Sequence, residues 1–495
     1  MYFPSFLRSP FRGRITSLRS GLLALLIVAA GTAGGDPLPD IGDSSGSVMT
    51  PTQEKRLGQA FMRNVRKSMK VMNDPFLNSY IESLGERLNS HSEGGIQPFT
   101  FYWVDDPAVN AFAGPGGYIG VHTGLILTTE SESELAAVLA HEIAHVTQKH
   151  LLRTFQVADN SSLSSAAILI AAVVLGAASH NSDVGMAAVA GAQASLAQRQ
   201  INFTRDNEKE ADRIGIQTTA DAGFDPRAMP VFFARMGKSN RYYDNNELPE
   251  FLRTHPITTN RIADSRNRAE SYPYRQYPDS TEYHLARVTI REQQFKNPNE
   301  AVRHFESTLK EGRFQNEEAQ RYGLVRALIR THDYARAKQE LAILQRKAPA
   351  RTHYLVLEAE ILSKSGHQRE GLEILRDGLT LYPNNYPLSI YYSQALLDAG
   401  QPEKAQQLLE DLIRVRPTDA GLYKILAQAA SDAGNPDAGH QYMAEYYYNS
   451  GELESAVKQL EIALDSNGRN YYRSAQMAAR LKEIRQEIAD INERK

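Results

Sequence analysis

Cysteine is absent from this chain of 495 residues. Its absence excludes disulfide bonds, thiolate nucleophiles and cysteine-based zinc sites, so any metal site must be built from histidine and carboxylate side chains. A large excess of charge of one sign is missing as well. The formal net charge is −3 at pH 7, which gives no electrostatic reason to expect a nucleic acid as the partner.

Long hydrophobic runs are also missing. The first apolar run, Leu22–Ala30, is too short for a permanent membrane-spanning helix. It follows four arginines and precedes small residues that continue through Gly35, which is the order of segments in a secretory signal peptide. The arginines are Arg8, Arg12, Arg14 and Arg19. We therefore predict that residues 1–33 are a signal peptide and that the mature protein is exported.

A second apolar run covers residues 166–179, and a helix rich in small residues is predicted at 186–197. The length of the run favours a buried or lid-like helix beside an active site over a membrane span. Both segments are apolar and contain glycine. Peripheral contact of residues 166–197 with a membrane surface therefore stays open as an alternative.

A small β-sheet is predicted ahead of the first strongly marked helix. Residues 98–104 alternate aromatic with smaller side chains, a turn follows at 115–117, and residues 118–127 resume an extended pattern. Ser131 and Glu134 then form the S-x-x-E pattern of a capping box. This pattern predicts a helix that begins there and runs towards Leu151.

From about residue 282 the sequence becomes an array of helices with a 34-residue period, the period of tetratricopeptide repeats. Three kinds of residue recur in phase: Pro349, Pro383 and Pro417; Gly366, Gly400 and Gly434; and the small residues Ala337, Gly371, Ala405 and Gly439. Each helix pair in such an array needs a small residue where its helices pack closely, and it buries its apolar face against neighbouring pairs. Pro298 indicates an earlier, less regular repeat.

The residues from His141 to His145 form an H-E-x-x-H motif within the helix that the cap predicts. Residues four apart lie on one face of a helix, so both imidazoles can reach one metal ion. Glu142 can act as the general base on a water molecule. Two histidines leave a third protein ligand to be found.

The spacing of nearby residues narrows the choice of the third ligand. His150 would lie about 180° round the helix from His141, at roughly 100° per residue, and would face away from the metal. An extended H-x-x-G-x-x-H motif is excluded because positions 148 and 151 are glutamine and leucine. A glutamate on a second helix remains. Glu208 and Asp212 share one face of such a helix, so Glu208 can bind the metal while Asp212 orients a ligand histidine.

Three motifs resemble those of the metallopeptidase family that includes HtpX and the CAAX prenyl endopeptidases. They are H-E-I-A-H-V-T-Q-K-H, N-E-K-E-A-D-R-I-G and N-A-F-A-x-P-G-G-Y-I. In this family the third ligand is the glutamate of E-x-x-A-D, which corresponds to Glu208 here. The membrane-spanning helices of HtpX are not matched. A signal peptide followed by a peptidase and tetratricopeptide repeats makes the chain similar to exported members of the family.

The resemblance implies a periplasmic zinc endopeptidase with one Zn2+ per chain. It implies that the enzyme degrades stalled or misassembled outer-membrane proteins, assists their maturation as a chaperone, and contacts the outer-membrane barrel assembly machinery through its repeats. It also implies an edge strand against which an extended substrate would pair by backbone hydrogen bonds. The residues that correspond to this strand are Gly116, Gly117, Tyr118, Ile119 and Gly120.

The same resemblance assigns two residues further along the chain. His255, within Thr254-His255-Pro256, corresponds to a histidine that can occupy the open position of the metal. A fourth ligand from a loop would displace the catalytic water and make the enzyme latent. Arg261 is a candidate either for stabilising charge in the transition state or for supporting the site.

We therefore predict a mainly α-helical protein. An α+β zincin-type metallopeptidase domain at 34–275, built from the H-E-x-x-H helix and a small sheet, precedes an α-solenoid of tetratricopeptide repeats at 281–495. The expected partners are proteins and not nucleic acid. The alternative is a non-proteolytic periplasmic chaperone or scaffold with a structural metal site, but Glu142 argues against it because a structural site needs no general base.

Overall fold

The computed structural model of the protein describes residues 49–93, 98–154, 170, 205–239, 250–466 and 471–492. We divide these residues into an N-terminal part, up to residue 270, and a repeat part, from residue 281 onwards. The predicted signal peptide and the predicted apolar helices at 166–179 and 186–197 lie outside the described residues, apart from Ile170. None of the described helices combines the length and the apolar character that a membrane crossing requires.

The N-terminal part is mostly helical. Its helices are Pro51–Ser68, Pro75–Asn89, Thr123–Thr128, Glu132–Thr147, His150–Thr154, Arg205–Asp221, Ala228–Ser239, Glu250–Thr254 and Thr259–Glu270, with a 3-10 turn at Pro115–Gly117. We call Glu132–Thr147 the motif helix, because it carries H-E-x-x-H, and Arg205–Asp221 the glutamate helix, because it carries Glu208. The motif helix is the centre of this part, since it packs against Pro75–Asn89, the glutamate helix and Ala228–Ser239.

A three-stranded sheet accompanies these helices. Its strands are β1 (Thr100–Val104), β2 (Ala111–Ala113) and β3 (Tyr118–His122), in the order β1-β3-β2. β3 is parallel to β1 and antiparallel to β2. The prediction of a small sheet is confirmed, but the extended pattern predicted for 118–127 is wrong in its second half, because Thr123–Thr128 is a helix.

The motif helix begins where the cap predicts and ends earlier than expected. The side chain of Ser131 accepts a hydrogen bond from the backbone N–H of Glu134 at 3.3 Å. The Glu134 carboxylate accepts one from the Glu130 N–H at 2.7 Å and binds Arg235, so the capping box is only half formed. The helix ends at Thr147 and does not continue to residue 151, since Lys149 has a φ of 54° in the left-handed region.

The repeat part consists of consecutive helix pairs. They are Thr281–Gln293 with Pro298–Glu311, Glu317–Arg330 with Tyr334–Lys347, Thr352–Lys364 with Gln368–Leu381, Tyr386–Asp398 with Pro402–Val415, Ala420–Asp432 with Pro436–Ser450, and Leu453–Ser466 with Tyr471–Asn492. The predicted helical repeats are therefore confirmed, including the less regular pair that begins at residue 281.

The residues that recur in phase explain the regular geometry. Gly366 and Gly434 have φ values of 91° and 79°, a conformation that glycine adopts without strain at the end of a helix. Ala337 is fully buried. At Gly371 an added Cβ would lie only 2.7 Å from the carbonyl oxygen of Ala359, so the helices of this pair touch at a position that admits no side chain.

The repeats fold back onto the first helices of the N-terminal part. Arg416 forms two hydrogen bonds with the carboxylate of Glu82, at 2.8 and 2.7 Å. Arg66 donates to the carbonyl oxygen of Asn449 at 3.0 Å. Arg63 pairs with Glu487 on the helix Tyr471–Asn492. Both ends of the repeat part therefore contact the N-terminal part, because the helix that opens the repeats also packs against Pro75–Asn89.

Candidate metal centre

Four buried side chains converge in the N-terminal part: His141, His145, Glu208 and His255. One possible ligand atom from each lies within 4.8 Å of the others, and none of the four residues is more than 2% exposed. The Nε2 atoms of His141 and His145 are 3.0 Å apart. Glu208 Oε1 lies 3.5 Å from His145 Nε2. The structure thus brings together the three predicted ligands and the predicted loop histidine.

The glutamate helix reaches the motif helix at a glycine. A Cβ added to Gly215 would lie 3.1 Å from the backbone nitrogen of His141, so a side chain there would push the two helices apart. Glu208 and Asp212 are four residues apart and lie on one face of their helix. Their carboxylates therefore meet the same imidazole: Glu208 lies 3.6 Å from His141 Nε2, and Asp212 lies 3.1 Å from His141 Nδ1.

Arg261 lies on the other side of Asp212. Its Nε and Nη2 atoms donate to the two carboxylate oxygens of Asp212 at 2.8 Å each, and its Nη1 lies 2.7 Å from Glu208 Oε2. Burial alone would raise the pKa of Asp212, but hydrogen bonds with Arg261 and His141 outweigh it and lower that pKa. All three guanidinium nitrogens therefore have protein partners, since Nη1 also donates to the carbonyl oxygen of Pro256. This favours the supporting role of Arg261 over contact with a transition state.

Glu142 lies beside the cluster and is 1% exposed. Its Oε1 is 3.4 Å from His255 Nε2 and has no hydrogen bond with any described residue. Burial raises the pKa of Glu142, in spite of the opposing charge of His255. A buried carboxylate with a raised pKa is suited to take up a proton and return it.

His255 enters the site from the turn that follows the short helix Glu250–Thr254. Its Nδ1 lies 3.0 Å from Glu208 Oε1, and its ring stacks on Phe251 with centroids 5.0 Å apart. Burial alone would lower the pKa of His255, but the carboxylates of Glu208 and Glu142 outweigh it and raise that pKa. The loop histidine is therefore held inside the site and is not exposed to solvent.

The chemistry of these side chains fits a divalent metal ion. Imidazole nitrogens and one carboxylate are the ligands that zinc takes in the absence of cysteine. Burial, with the charge of His141 as the next cause, lowers the pKa of His145 well below its usual value, so the ring stays in its neutral, ligating form. Glu142, Glu208 and Asp212 add three buried carboxylates. Arg261 offsets part of the charge of Asp212 and Glu208, and a metal cation would offset the negative charge that remains buried.

The sequence matches to known proteins cover both parts of the chain. The sequence profile described as Peptidase family M48 matches residues 75–269, and a tetratricopeptide repeat profile matches residues 364–429. The beta-barrel assembly-enhancing protease of Escherichia coli strain K12 is 34% identical over 391 residues, which cover 77% of this chain and 79% of that one. The protein of the same name from Yersinia pestis is 36% identical over 353 residues, covering 70% and 72%.

The chain belongs to peptidase family M48. A Vibrio cholerae protein that is also named for beta-barrel assembly-enhancing protease activity is 47% identical over 274 residues, and there the match spans 54% of this chain and 56% of that one. The chain is therefore an M48 metallopeptidase with tetratricopeptide repeats, as the sequence motifs predicted.

The strand predicted to bind substrate in this M48 peptidase is not an edge strand. Tyr118, Ile119 and Gly120 lie in β3, which is the middle strand and pairs with Thr100–Val104 on one side and Ala111–Ala113 on the other. Gly116 and Gly117 lie in the turn before it. The prediction is wrong because the sequence indicates strands but not their order. Within the described residues β2 pairs only with β3, so Ala111–Ala113 is the edge strand next to Glu142.

The position of His150 in the M48 site differs from the one predicted by continuing the motif helix beyond residue 147. Because the motif helix ends at Thr147, the chain turns back, and His150 Nδ1 lies 2.9 Å from His145 Nδ1. His150 Nε2 lies 3.1 Å from Glu210 Oε2. His150 is outside the four-residue cluster, as expected, but the prediction that it faces away is wrong. The sequence does not indicate this turn, because Lys149 adopts a left-handed conformation that lysine does not favour.

Proposed function

We propose that this M48 peptidase is a zinc-dependent endopeptidase with one Zn2+ per chain, held by His141, His145 and Glu208. The observation that carries the proposal is the convergence of these three buried side chains within reach of one ion, with Glu142 beside them. Asp212 supports the site through His141, and Arg261 supports it through Asp212.

Bound zinc would supply Lewis acidity, which polarises the scissile carbonyl and makes an attacking water molecule more acidic. Glu142 accepts the proton of that water and passes it to the amine that leaves. Its pKa, raised by burial, favours this exchange, because burial makes the protonated form easier to reach. Asp212 Oδ1 lies 3.1 Å from His141 Nδ1, where its charge favours a proton on that nitrogen and so leaves Nε2 free to bind the metal.

The edge strand Ala111–Ala113 is the place where we propose that an extended substrate pairs by backbone hydrogen bonds. Residues Phe112 and Gly120 are partners in the β2–β3 register, and the adjacent bonds run from His122 N–H to Asn110 O and from Gly114 N–H to Tyr118 O. Backbone groups alternate in direction along a strand, so those of residues 111 and 113 point away from β3. This edge lies next to Glu142, where a peptide bond would be attacked.

His255 is proposed as a fourth ligand that keeps the enzyme latent. Its Nδ1 is 3.3 Å from His141 Nε2, within the same set of possible ligand atoms. A closed set of four protein ligands leaves no open position for water or substrate. Movement of the turn that carries His255 would open the site. A closed set also favours the second candidate function, a chaperone or scaffold with a structural metal.

We extend the proposal to the setting and the partners of the enzyme. The name of the relatives, beta-barrel assembly-enhancing protease, supports a role in β-barrel assembly. We propose that the substrates are outer-membrane β-barrel proteins, degraded when misassembled and otherwise assisted in assembly. This setting requires the periplasm, in agreement with the signal peptide expected at 1–33. The repeats at 281–495 would bind the barrel assembly machinery, and the peptidase domain at 34–275 would carry the chemistry. Residues 166–197 are retained as a possible peripheral membrane contact.

The test compares zinc-loaded wild-type protein with Glu142→Gln and His255→Ala in the cleavage of an unfolded outer-membrane protein. Glu86→Gln, an exposed glutamate on Pro75–Asn89, is the matched control. We expect Glu142→Gln to lose cleavage while it keeps its zinc, and His255→Ala to cleave faster than wild type. If no form cleaves while aggregation of the substrate is still suppressed, the chaperone function replaces the peptidase proposal.

A further inference from the structure

A cavity of about 400 Å³ in the first repeats is lined by basic side chains. It lies between the helices Thr281–Gln293 and Pro298–Glu311 and the start of the next helix. The basic residues are His284, Arg287, Arg291, His304 and Arg313. None of the described residues that line it is an aspartate or a glutamate. We call it the arginine cavity.

Two of the three arginines of this cavity, Arg287 and Arg291, have no carboxylate partner among the described residues, whereas most arginines in the repeats have one. Arg287 donates from Nη1 to Gln315 Oε1 at 2.9 Å and from Nη2 to the carbonyl oxygen of Leu127 at 3.1 Å, and both acceptors are neutral. Arg291 forms no hydrogen bond or ion pair with the described residues. Arg313 has one ion pair, at 3.1 Å with Glu311, which does not line the cavity.

The positive charges of the arginine cavity act on one another. Partial burial lowers the pKa of Arg291, and the charge of Arg287 lowers it further. Burial also lowers the pKa of His304, and the charge of Arg291 adds to that effect. Two cationic groups that disfavour each other's charge at a half-buried site would both be stabilised by an anion between them.

We propose that the arginine cavity binds the phosphate group of a phosphorylated molecule. Guanidinium groups recognise phosphate oxygens by paired, charge-assisted hydrogen bonds. A single carboxylate would neutralise only part of the positive charge of Arg287, Arg291 and Arg313. A phosphate monoester neutralises more of it, because it approaches two negative charges at pH 7. The volume leaves room for a glycerol or sugar group beside the phosphate. The phosphate could belong to a free metabolite or to a lipid headgroup.

The position of the cavity connects it to the N-terminal part. Arg287 holds the carbonyl oxygen of Leu127, and Gln315 Nε2 donates to the carbonyl oxygen of Glu130 at 3.1 Å. Glu130 directly precedes the N-cap of the motif helix, Ser131, and Leu127 lies four residues before that N-cap. A phosphate held by the same arginines would tighten this junction, so binding is expected to raise the melting temperature of the whole described unit.

The experiment titrates the zinc-loaded full chain with glycerol 3-phosphate by calorimetry and by thermal melting, at constant ionic strength. Vesicles that contain phosphatidic acid, whose phosphate is a monoester, and vesicles of phosphatidylcholine alone are tested by flotation. Arg291→Gln removes the unpartnered guanidinium and Arg291→Lys keeps its charge. Arg303→Gln, an exposed arginine on Pro298–Glu311 outside the cavity, is the matched control. The melting temperature without ligand checks that every variant is folded.

We expect glycerol 3-phosphate to bind and stabilise the wild type, with affinity about tenfold lower in Arg291→Gln and unchanged in Arg303→Gln, since one charge-assisted contact is lost. Arg291→Lys should retain most of the binding. Binding only to phosphatidic acid vesicles, with the same dependence on Arg291, would identify the source as a lipid headgroup. The proposal is overturned if neither probe binds, if succinate binds as tightly as glycerol 3-phosphate, or if Arg303→Gln weakens binding as much as Arg291→Gln.

Discussion

Asp212 gives the sharpest test of how the site is held together. The carboxylate accepts two hydrogen bonds from Arg261, both at 2.8 Å, and lies 3.1 Å from His141 Nδ1. In Asp212→Asn the shape is kept, but the negative charge that faces the buried arginine is lost. The amide keeps one acceptor oxygen, which can still face Arg261 Nη2 and His141 Nδ1. Its NH2 group then faces the Nε–H of Arg261, so that hydrogen bond is lost.

The size of the effect follows from these contacts. Removal of one partner from a buried ion pair typically costs about 3–5 kcal/mol, because the remaining charge is left without compensation. Arg261 keeps its contact with Glu208 at 2.7 Å, so we expect the lower end, about 3 kcal/mol, for the metal-free protein. Loss of the group that orients a ligand histidine typically weakens metal binding by about 10–100-fold, or about 1.4–2.7 kcal/mol.

Two measurements check these values separately. Urea unfolding in the presence of a chelator reports the loss of stability, and competition with a chromophoric chelator reports the zinc affinity. Asp264→Asn, an exposed aspartate on Thr259–Glu270, is the matched control. If Asp212→Asn binds zinc within twofold of Asp264→Asn, Asp212 does not orient His141, and the reasoning about this site is refuted.

Three further predictions concern other parts of the structure. His150→Phe should lower zinc affinity by about tenfold, because His145 loses the partner of its Nδ1, whereas the exposed His91→Phe should have no effect; equal affinities would contradict this. Gly371→Ala should lower the free energy of unfolding by about 1–3 kcal/mol, because its Cβ would lie 2.7 Å from a carbonyl oxygen. Gly237→Ala is the control and should raise that free energy by about 1 kcal/mol, because the atom nearest to its Cβ is 3.8 Å away. Urea unfolding measures both values. Burial lowers the pKa of His353 to about 3, so below pH 6.5 the unfolded chain binds a proton that the folded chain does not bind. Between pH 6.5 and pH 5 the wild type should therefore lose about 2 kcal/mol more stability than His353→Phe. Equal losses for the two proteins in urea unfolding at both pH values would exclude this cause.

Features that depend on short-range spacing could be predicted from the sequence. His141 and His145 share a helical face, as do Glu208 and Asp212, and their convergence required only that the two helices meet. The 34-residue period likewise predicted where the repeats turn, as the positive φ of Gly366 illustrates. In these cases local geometry and the pattern of small residues carry most of the information.

Features that depend on distant contacts could not be predicted. The strand order puts β3 between two partners, whereas the family resemblance implied that residues 116–120 form an edge strand. His150 turns towards His145 because Lys149 adopts a left-handed conformation that its residue type does not favour. The contact of Arg416 with Glu82 joins residues 334 positions apart, and nothing in the neighbourhood of either residue indicates the other.

The return of the repeats to the helix Pro51–Ser68 has a consequence for how the protein is made. Arg63 meets Glu487 across 424 positions, so the helix is synthesised long before its partner exists. Contacts of such large sequence separation form late and slowly, and a chain grows from its N-terminal side at roughly 5–20 residues per second. The face of this helix that carries Arg63 and Arg66 must therefore wait with incomplete cover. Until the last repeat helix has been synthesised, this surface stays open to other contacts.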